Sequence, residues 1–134
     1  MIRPIKNDSI NLARELLLSG KPIIYPTDTL FSFGAIATDT KSISRINKLK
    51  KRESPLSIIL SQISQIQKYG HVEKDYFEYI KKILPGKYTI LIKSKKHDLS
   101  YLVQNKSKLI GVRIPKSDFA INLVNSLNTP IITT

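Results

Sequence analysis

The chain contains no cysteine. That excludes disulfides, thiol nucleophiles and thiolate-held metal, and it says little about compartment. Histidine is almost as scarce: His71 and His97 lie far apart with no carboxylates at ligand spacing. No zinc site is therefore expected, and each imidazole reads as a surface side chain. No apolar run approaches the roughly 20 residues needed to cross a bilayer. Met1-Ile2-Arg3-Pro4-Ile5-Lys6 leads into no continuous apolar stretch of the kind a secretory signal carries, so the cytoplasm is the expected compartment. Also missing are the Gly-rich phosphate loop, the Gly-x-Gly-x-x-Gly turn and any Ser-His-Asp set. A nucleotide, if bound, is held by another device.

At 134 residues the chain has one domain's worth of sequence, enough to bury roughly two-thirds of its unfolded surface. Hydrophobic residues at 41% and charged residues at 24% are the balance of an ordinary globular protein. The strongest bulk signal is charge. With 22 basic side chains against 10 acidic ones, the net is +12 at pH 7, which favours polyanionic partners such as nucleotides, RNA or acidic surfaces. There is a plainer source for the same excess. Lysine greatly outnumbers arginine and isoleucine is frequent, as drift toward A/T-rich codons would produce. Where the charge clusters matters more than its total.

Along the chain, Asp8 or Ser9 caps a first helix with Ile10, Ala13, Leu16 and Leu17 as its apolar stripe and Gly20 closing it. Lys21-Pro22 leads into a strand through Tyr25. Asp39 or Thr40 starts a second helix with Ile43, Ile46 and Leu49 expected inward and Lys41, Arg45, Lys48 and Arg52 along the outer face. Cations near a helix C-terminus are favoured by its dipole and need no ligand. Ser54-Pro55 breaks that helix, and Leu56-Ser57-Ile58-Ile59-Leu60 reads as a buried strand. Ile63, Ile66 and Tyr69 mark a short helix ending at Gly70, and another over residues 73–84 stops at Pro85-Gly86. Residues 88–93 alternate as a strand does. Residues 94–108 are polar and basic, with Leu99, Leu102 and Val103 as small anchors, and are expected to form a mobile loop or flap. Leu109-Ile110-Gly111-Val112-Arg113-Ile114-Pro115 is a strand, Ser117 or Asp118 caps a last helix, and Pro130-Ile131-Ile132-Thr133-Thr134 is a final strand. Strands alternating with helices predict one α/β domain over residues 1–134, a twisted, mixed and partly parallel sheet flanked by helices.

The chemistry centres on Ile23-Ile24-Tyr25-Pro26-Thr27-Asp28-Thr29-Leu30-Phe31-Ser32-Phe33-Gly34. Strand residues deliver the chain to an edge, and Pro26 removes a ladder donor. Thr27, Asp28 and Thr29 then either make an ordinary strand-end turn or hold something bound there. Lys50-Lys51-Arg52 ends the second helix, where a lysine and an arginine two residues apart can grip phosphate oxygens. Arg113 is the one charge in an apolar strand and needs a partner. That partner is either an internal carboxylate such as Asp28 or a carboxylate or phosphate of a ligand. Loops at strand ends are the usual ligand site of open α/β sheets, so the three elements are candidates to converge.

Taken in order, Tyr25-Pro26-Thr27-Asp28-Thr29-Leu30 with Gly34, Leu49-Lys50-Lys51-Arg52, Pro55-Leu56-Ser57, Leu84-Pro85-Gly86-Lys87-Tyr88-Thr89, Gly111-Val112-Arg113-Ile114-Pro115 and Pro130-Ile131-Ile132-Thr133-Thr134 resemble the YrdC/TsaC family, the threonylcarbamoyl-AMP synthases of a tRNA modification pathway. The resemblance covers essentially the whole chain. It implies a YrdC-like sheet with a basic concave groove and an enzyme joining L-threonine, bicarbonate and ATP, with Mg2+, into threonylcarbamoyl-adenylate. A downstream threonylcarbamoyl-transferase complex then modifies adenosine 37 of tRNA. By the same resemblance Thr27, Thr29 and Arg113 are the threonine-binding residues. Lys50 and Arg52 are the catalytic pair on the ATP phosphates, and Thr134 lies on the nucleotide side.

The sequence also departs from the family. The strand ending in Thr134 is followed in the family by a Ser-x-Asn motif that holds nucleotide phosphates, so the domain is expected to be incomplete at its C-terminus. Phe31-Ser32-Phe33 stands where the family has Tyr-Gly-Leu, which adds bulk and removes a flexible glycine. Arg52-Glu53-Ser54-Pro55 is short and lacks a lysine common before the Pro-Leu pair. Two other readings stand beside the enzyme: a non-catalytic YrdC-like protein that binds tRNA or double-stranded RNA, and a YciO-like paralogue.

Overall fold

The most apolar run of the chain becomes its central strand. In the computed structural model, which describes residues 9–28, 31–51 and 56–134, strand β3 (Ser57–Ile59) lies between β6 (Leu109–Arg113) and β7 (Ile131–Thr133). β3 runs parallel to β6, pairing Ser57 with Gly111 and Ile59 with Arg113, and antiparallel to β7, pairing Ser57 with Thr133. Two further antiparallel strands, β5 (Ile90–Ser94) and β4 (Gly70–His71), extend the sheet beyond β6. A hairpin of β1 (Ile23–Pro26) and β2 (Phe31–Gly34) joins the other edge through β7. The joining hydrogen bonds are Phe33 N to Thr134 O at 3.1 Å, Ile132 N to Ala35 O at 2.8 Å and Ala37 N to Pro130 O at 3.0 Å.

Because successive strand residues face opposite ways, β3 feeds two cores. Ile58, Val112 and Ile132 pack with Ile43 and Ile46 of α2 (Thr40–Lys50), Ile66 of α3 (Ile66–Tyr69) and Ile80 of α4 (Lys74–Ile83). Ile59 and Ile131 pack with Ala13 and Leu17 of α1 (Ser9–Leu18) and with Ala120, Leu123 and Val124 of α5 (Asp118–Leu127). Helices therefore cover both faces, and the architecture is the expected mixed α/β sheet. Only β3–β6 among the described pairings is parallel.

Local chemistry sets the helix ends. The Asp39 carboxylate accepts the Ser42 amide at 3.1 Å and caps α2, and Ser117 accepts the Ala120 amide at 3.4 Å and caps α5. Gly20, at φ +78°, turns the chain after α1 in a conformation that disfavours side chains. The caps at Asp8 and the break at Ser54-Pro55 lie outside the described residues. No helix of the described residues is long and apolar enough to cross a membrane.

Two expectations fail. Leu49 is 66% exposed rather than inward, because α2 already buries Ser42, Ile43 and Ile46 and leaves its last turn on the rim. Residues 94–108 are not a flap. Leu99, Ser100 and Val103 are buried, Ser100 N donates to Ala37 O at 2.9 Å, and the Thr40 hydroxyl donates to Ser100 Oγ at 2.8 Å. The segment is pinned to the start of α2. At the opposite edge, β4 pairs only with Lys93 and Ser94 of β5, and the Tyr76 hydroxyl donates to the Leu91 carbonyl at 3.1 Å.

Ile58 is fully buried between the helices and its strand neighbours. Ile58→Ala is expected to cost about 2–5 kcal/mol, read as a lower urea midpoint with an unchanged slope.

Candidate functional site

The charged strand residue has found its carboxylate. Arg113 ends β6, and a terminal nitrogen of its guanidinium lies 3.2 Å from Asp28 Oδ1 and 3.4 Å from the Lys87 carbonyl. The turn backbone at Asp28 is open to solvent, yet the side chain turns inward. The Arg113 and Asp28 side chains are only 12% and 13% exposed. The second carboxylate oxygen accepts the Lys116 amide at 3.2 Å, and the Ser117 hydroxyl donates to the Pro26 carbonyl at 3.4 Å. The turn after β1 is thus bound to the approach to α5, whose positive dipole end favours a nearby anion. One donor remains. Arg113 Nε is buried with no hydrogen-bond partner among the described residues, and such a group carries a desolvation cost until an acceptor reaches it.

A second cluster forms where α2 ends. Lys50 Nζ donates to the Thr134 hydroxyl at 3.2 Å and stands 5.8 Å from the centre of the Phe33 ring. The Thr134 carbonyl accepts the Phe33 amide, so the residue just after β7 fixes both an ammonium and an aromatic face.

Tyr25 lies between the clusters. It is 1% exposed and donates its hydroxyl to the Ile132 carbonyl at 3.1 Å. Burial pushes its phenol well above the ordinary tyrosine value, although the Thr133 hydroxyl and the Arg113 charge both act to lower it. It stays protonated and neutral. A Cβ at Gly34 would lie 2.5 Å from the Tyr25 ring, so this position of β2 must be small. Strand register places Gly111, Ser57 and Thr133 side by side, on the face that also carries Arg113 two residues on. A Cβ at Gly111 would meet Ser57 Oγ at 2.8 Å. The result is a polar strip from Arg113 past Ser57 to Thr133, open to solvent at β5, where Leu91 opposite Gly111 is 53% exposed.

Of the residues singled out in the sequence, Arg113 is brought to Asp28, beside a half-buried Thr27, and Lys50 to Thr134. Thr29 and Arg52 lie outside the described residues. The pairing of Arg113 with Asp28 was one of the two outcomes the strand charge allowed. From the sequence alone Tyr25, Ser57 and Thr133 carry no assigned site role, and Phe33 enters only as added bulk beside the pocket. A hydroxyl in a strongly apolar run was the available signal, since a buried phenol needs a partner. Among the described residues no group of three or more His, Asp or Glu side chains could hold a metal ion. What the arrangement can do is hold anions with two well-separated cations on a rigid sheet.

The sequence matches the family model Sua5_yciO_yrdC, described as telomere recombination, over residues 15–134. YciO of Escherichia coli K12, named as an uncharacterized protein, is 30% identical over 127 residues, covering 93% of this chain and 62% of YciO. Its crystal structure superposes with a TM-score of 0.88 over 98% of this chain and 65% of that one, at 27% identity. A putative threonylcarbamoyl-AMP synthase of Methanocaldococcus jannaschii is 35% identical over 108 residues, covering 79% of this chain and 51% of that protein. P. abyssi Sua5 complexed with L-threonine superposes with a TM-score of 0.87 over 98% of this chain and 39% of Sua5. At 23% identity that last likeness is one of fold. The chain spans about a third to three-fifths of the length of the curated relatives it matches.

In an alkaline spectrophotometric titration, the folded protein is expected to keep Tyr25 un-ionised through the pH range where an exposed phenol titrates, around 10. The raised folded-state value makes the phenol stabilising below that range and progressively lost as pH climbs above it. Tyr25→Phe should leave the pre-unfolding absorbance change intact and remove one phenol from the change that accompanies unfolding. Loss of amplitude before unfolding would show the phenol to be accessible.

Proposed function

The chain belongs to the Sua5–YciO–YrdC family, and we propose that its site joins L-threonine, bicarbonate and ATP into threonylcarbamoyl-adenylate with release of pyrophosphate. Carrying the reading is Arg113, a largely buried guanidinium at a strand end whose Nε has no acceptor among the described residues, paired with the Asp28 that follows Thr27 in sequence. A carboxylate on Arg113 and a hydroxyl partner at Thr27, with Thr29 two residues on in sequence, suit an amino acid that carries its own hydroxyl. A polar site of that kind discriminates against an isostere lacking the group. The naming of a relative 35% identical as a putative threonylcarbamoyl-AMP synthase supports the same reading.

In the proposed reaction the threonine amine attacks the carbon derived from bicarbonate, water leaves, and a carbamate forms. A carbamate oxygen then attacks the α-phosphorus of ATP, and the bond to the β-phosphate oxygen breaks to give pyrophosphate. Such transfer needs positioning and charge neutralisation more than a protein nucleophile. In this reading Lys50 and Arg52, two residues apart in sequence, neutralise the developing phosphate charge, and the hydrogen bond that fixes the Lys50 ammonium on Thr134 supports that role. Magnesium enters as the counter-ion of the ATP phosphates, part of the substrate. The adenylate would serve threonylcarbamoylation of tRNA by a downstream transferase complex in the cytoplasm.

A second reading rests on the similarity to Escherichia coli YciO: a paralogue that keeps the fold and anion site and acts on related chemistry. Restoration of threonylcarbamoyladenosine to tRNA in a deficient strain separates the two.

With ATP, L-threonine and bicarbonate, the protein is expected to release pyrophosphate in a threonine-dependent manner and to yield the adenylate by mass. No threonine-dependent release counts against the enzyme. Lys50→Ala is expected to slow release by on the order of 100-fold with an unchanged unfolding midpoint, and an unchanged rate removes Lys50 from its role.

A further inference from the structure

The carboxylate beside Arg113 is placed to do more than neutralise it. A terminal guanidinium nitrogen carries two hydrogens, and on Arg113 this nitrogen serves two acceptors, Asp28 Oδ1 and the Lys87 carbonyl. Held from two directions, the guanidinium plane cannot rotate freely. Nε therefore keeps one fixed direction while its own hydrogen has no acceptor among the described residues. Asp28 is itself held, because its other oxygen is taken by the Lys116 amide ahead of α5. The chain of contacts runs from the start of α5 through Asp28 to Arg113, and Asp28 is the direct sequence neighbour of Thr27.

We infer that Asp28 is a positioning residue: it aims the Nε edge of Arg113 at an incoming carboxylate, at the turn that also carries Thr27. This rests on the reading that the site takes an amino acid, and it adds a residue to which no binding role has been given. The geometry argues against the simpler idea that Asp28 plugs the site until substrate displaces it. A plug would occupy the Nε edge in bidentate fashion, whereas Asp28 reaches only the terminal nitrogen and spends its second oxygen on a backbone amide. Asparagine has the same shape but cannot replace it. With one carbonyl oxygen it can accept from Arg113 or from Lys116, and its amide group then confronts the other donor.

Asp28→Asn in the full chain is expected to raise the KM for L-threonine roughly 10- to 100-fold, the scale of a misplaced binding group, while the KM for ATP and the unfolding midpoint change little. Asp28→Glu retains the charge but shifts it by a methylene, and is expected to give a smaller rise of the same kind. It also serves if the asparagine variant fails to fold. An unchanged threonine KM in the folded variants overturns the inference, as does an equal loss toward threonine and ATP, which would mark Asp28 as structural only. A lower threonine KM would identify Asp28 as a plug and overturn it too. A second readout does not depend on turnover. The Arg113 Nε–H resonance, assigned by its loss in Arg113→Lys, is expected to shift when L-threonine is added to the wild-type protein and not at the same concentration in Asp28→Asn. If the wild-type protein releases no pyrophosphate, the proposed reaction fails while this resonance still decides the role of Asp28. A wild-type resonance indifferent to L-threonine overturns the positioning role.

Discussion

Strand β7 is three residues long and hydrogen-bonded along both edges, and the rest of the molecule depends on that double pairing. One edge meets β3, the other receives β2 and the residues after it. Ile131 and Ile132 are fully buried and Thr133 nearly so, so water is not there to replace any bond that is lost. Even the Ile132 carbonyl takes the phenol of Tyr25. Remove β7 and the hairpin of β1 and β2 has no sheet to belong to. α1, packed against α5 over Ile131 and Ile59, loses its floor.

The site inherits its rigidity from the same strand. Lys50 reaches Thr134 immediately after β7, and Arg113 reaches Asp28 in the turn after β1. Each cation is fixed to a part of the chain distant in sequence, and the neutral, buried Tyr25 lies between them. Two cations with a single carboxylate leave an anion-seeking surface, while the low local polarity near Tyr25 strengthens whatever charge pairing occurs there. Preorganisation of this kind suits chemistry in which negative charge accumulates on transferring groups.

Much of this was legible in the residues. The apolar runs Leu56-Ser57-Ile58-Ile59-Leu60 and Leu109-Ile110-Gly111-Val112 read as buried strands because both cores need them. Asp39 or Thr40 and Ser117 or Asp118 read as caps because such side-chain oxygens accept helix amides, and the structure uses Asp39 and Ser117. Arg113 stood out because an unpaired charge cannot stay in a strand. Less was legible where tertiary contact overrides local pattern. Nothing local to residues 94–108 told that Ser100 would bond to Ala37 and Thr40. Helical spacing put Leu49 inward, but a helix rim is decided by what lies opposite. Tyr25 looked like one more apolar strand residue, and its polar end acquired a partner only when residue 132 arrived. The two-residue β4 was too short to produce a periodic signal.

The hydroxyl of Tyr76 on the Leu91 carbonyl has a consequence for the protein in a crowded solution. β4 shields only the last part of β5, which leaves residues 90–92 at a sheet border where another molecule's strand could be templated. With the Leu91 acceptor already engaged from α4, a foreign strand would have to displace a tethered ring to bond to that carbonyl. The contact thus takes one acceptor of that border out of play, at a distance in sequence from both Arg113 and Lys50.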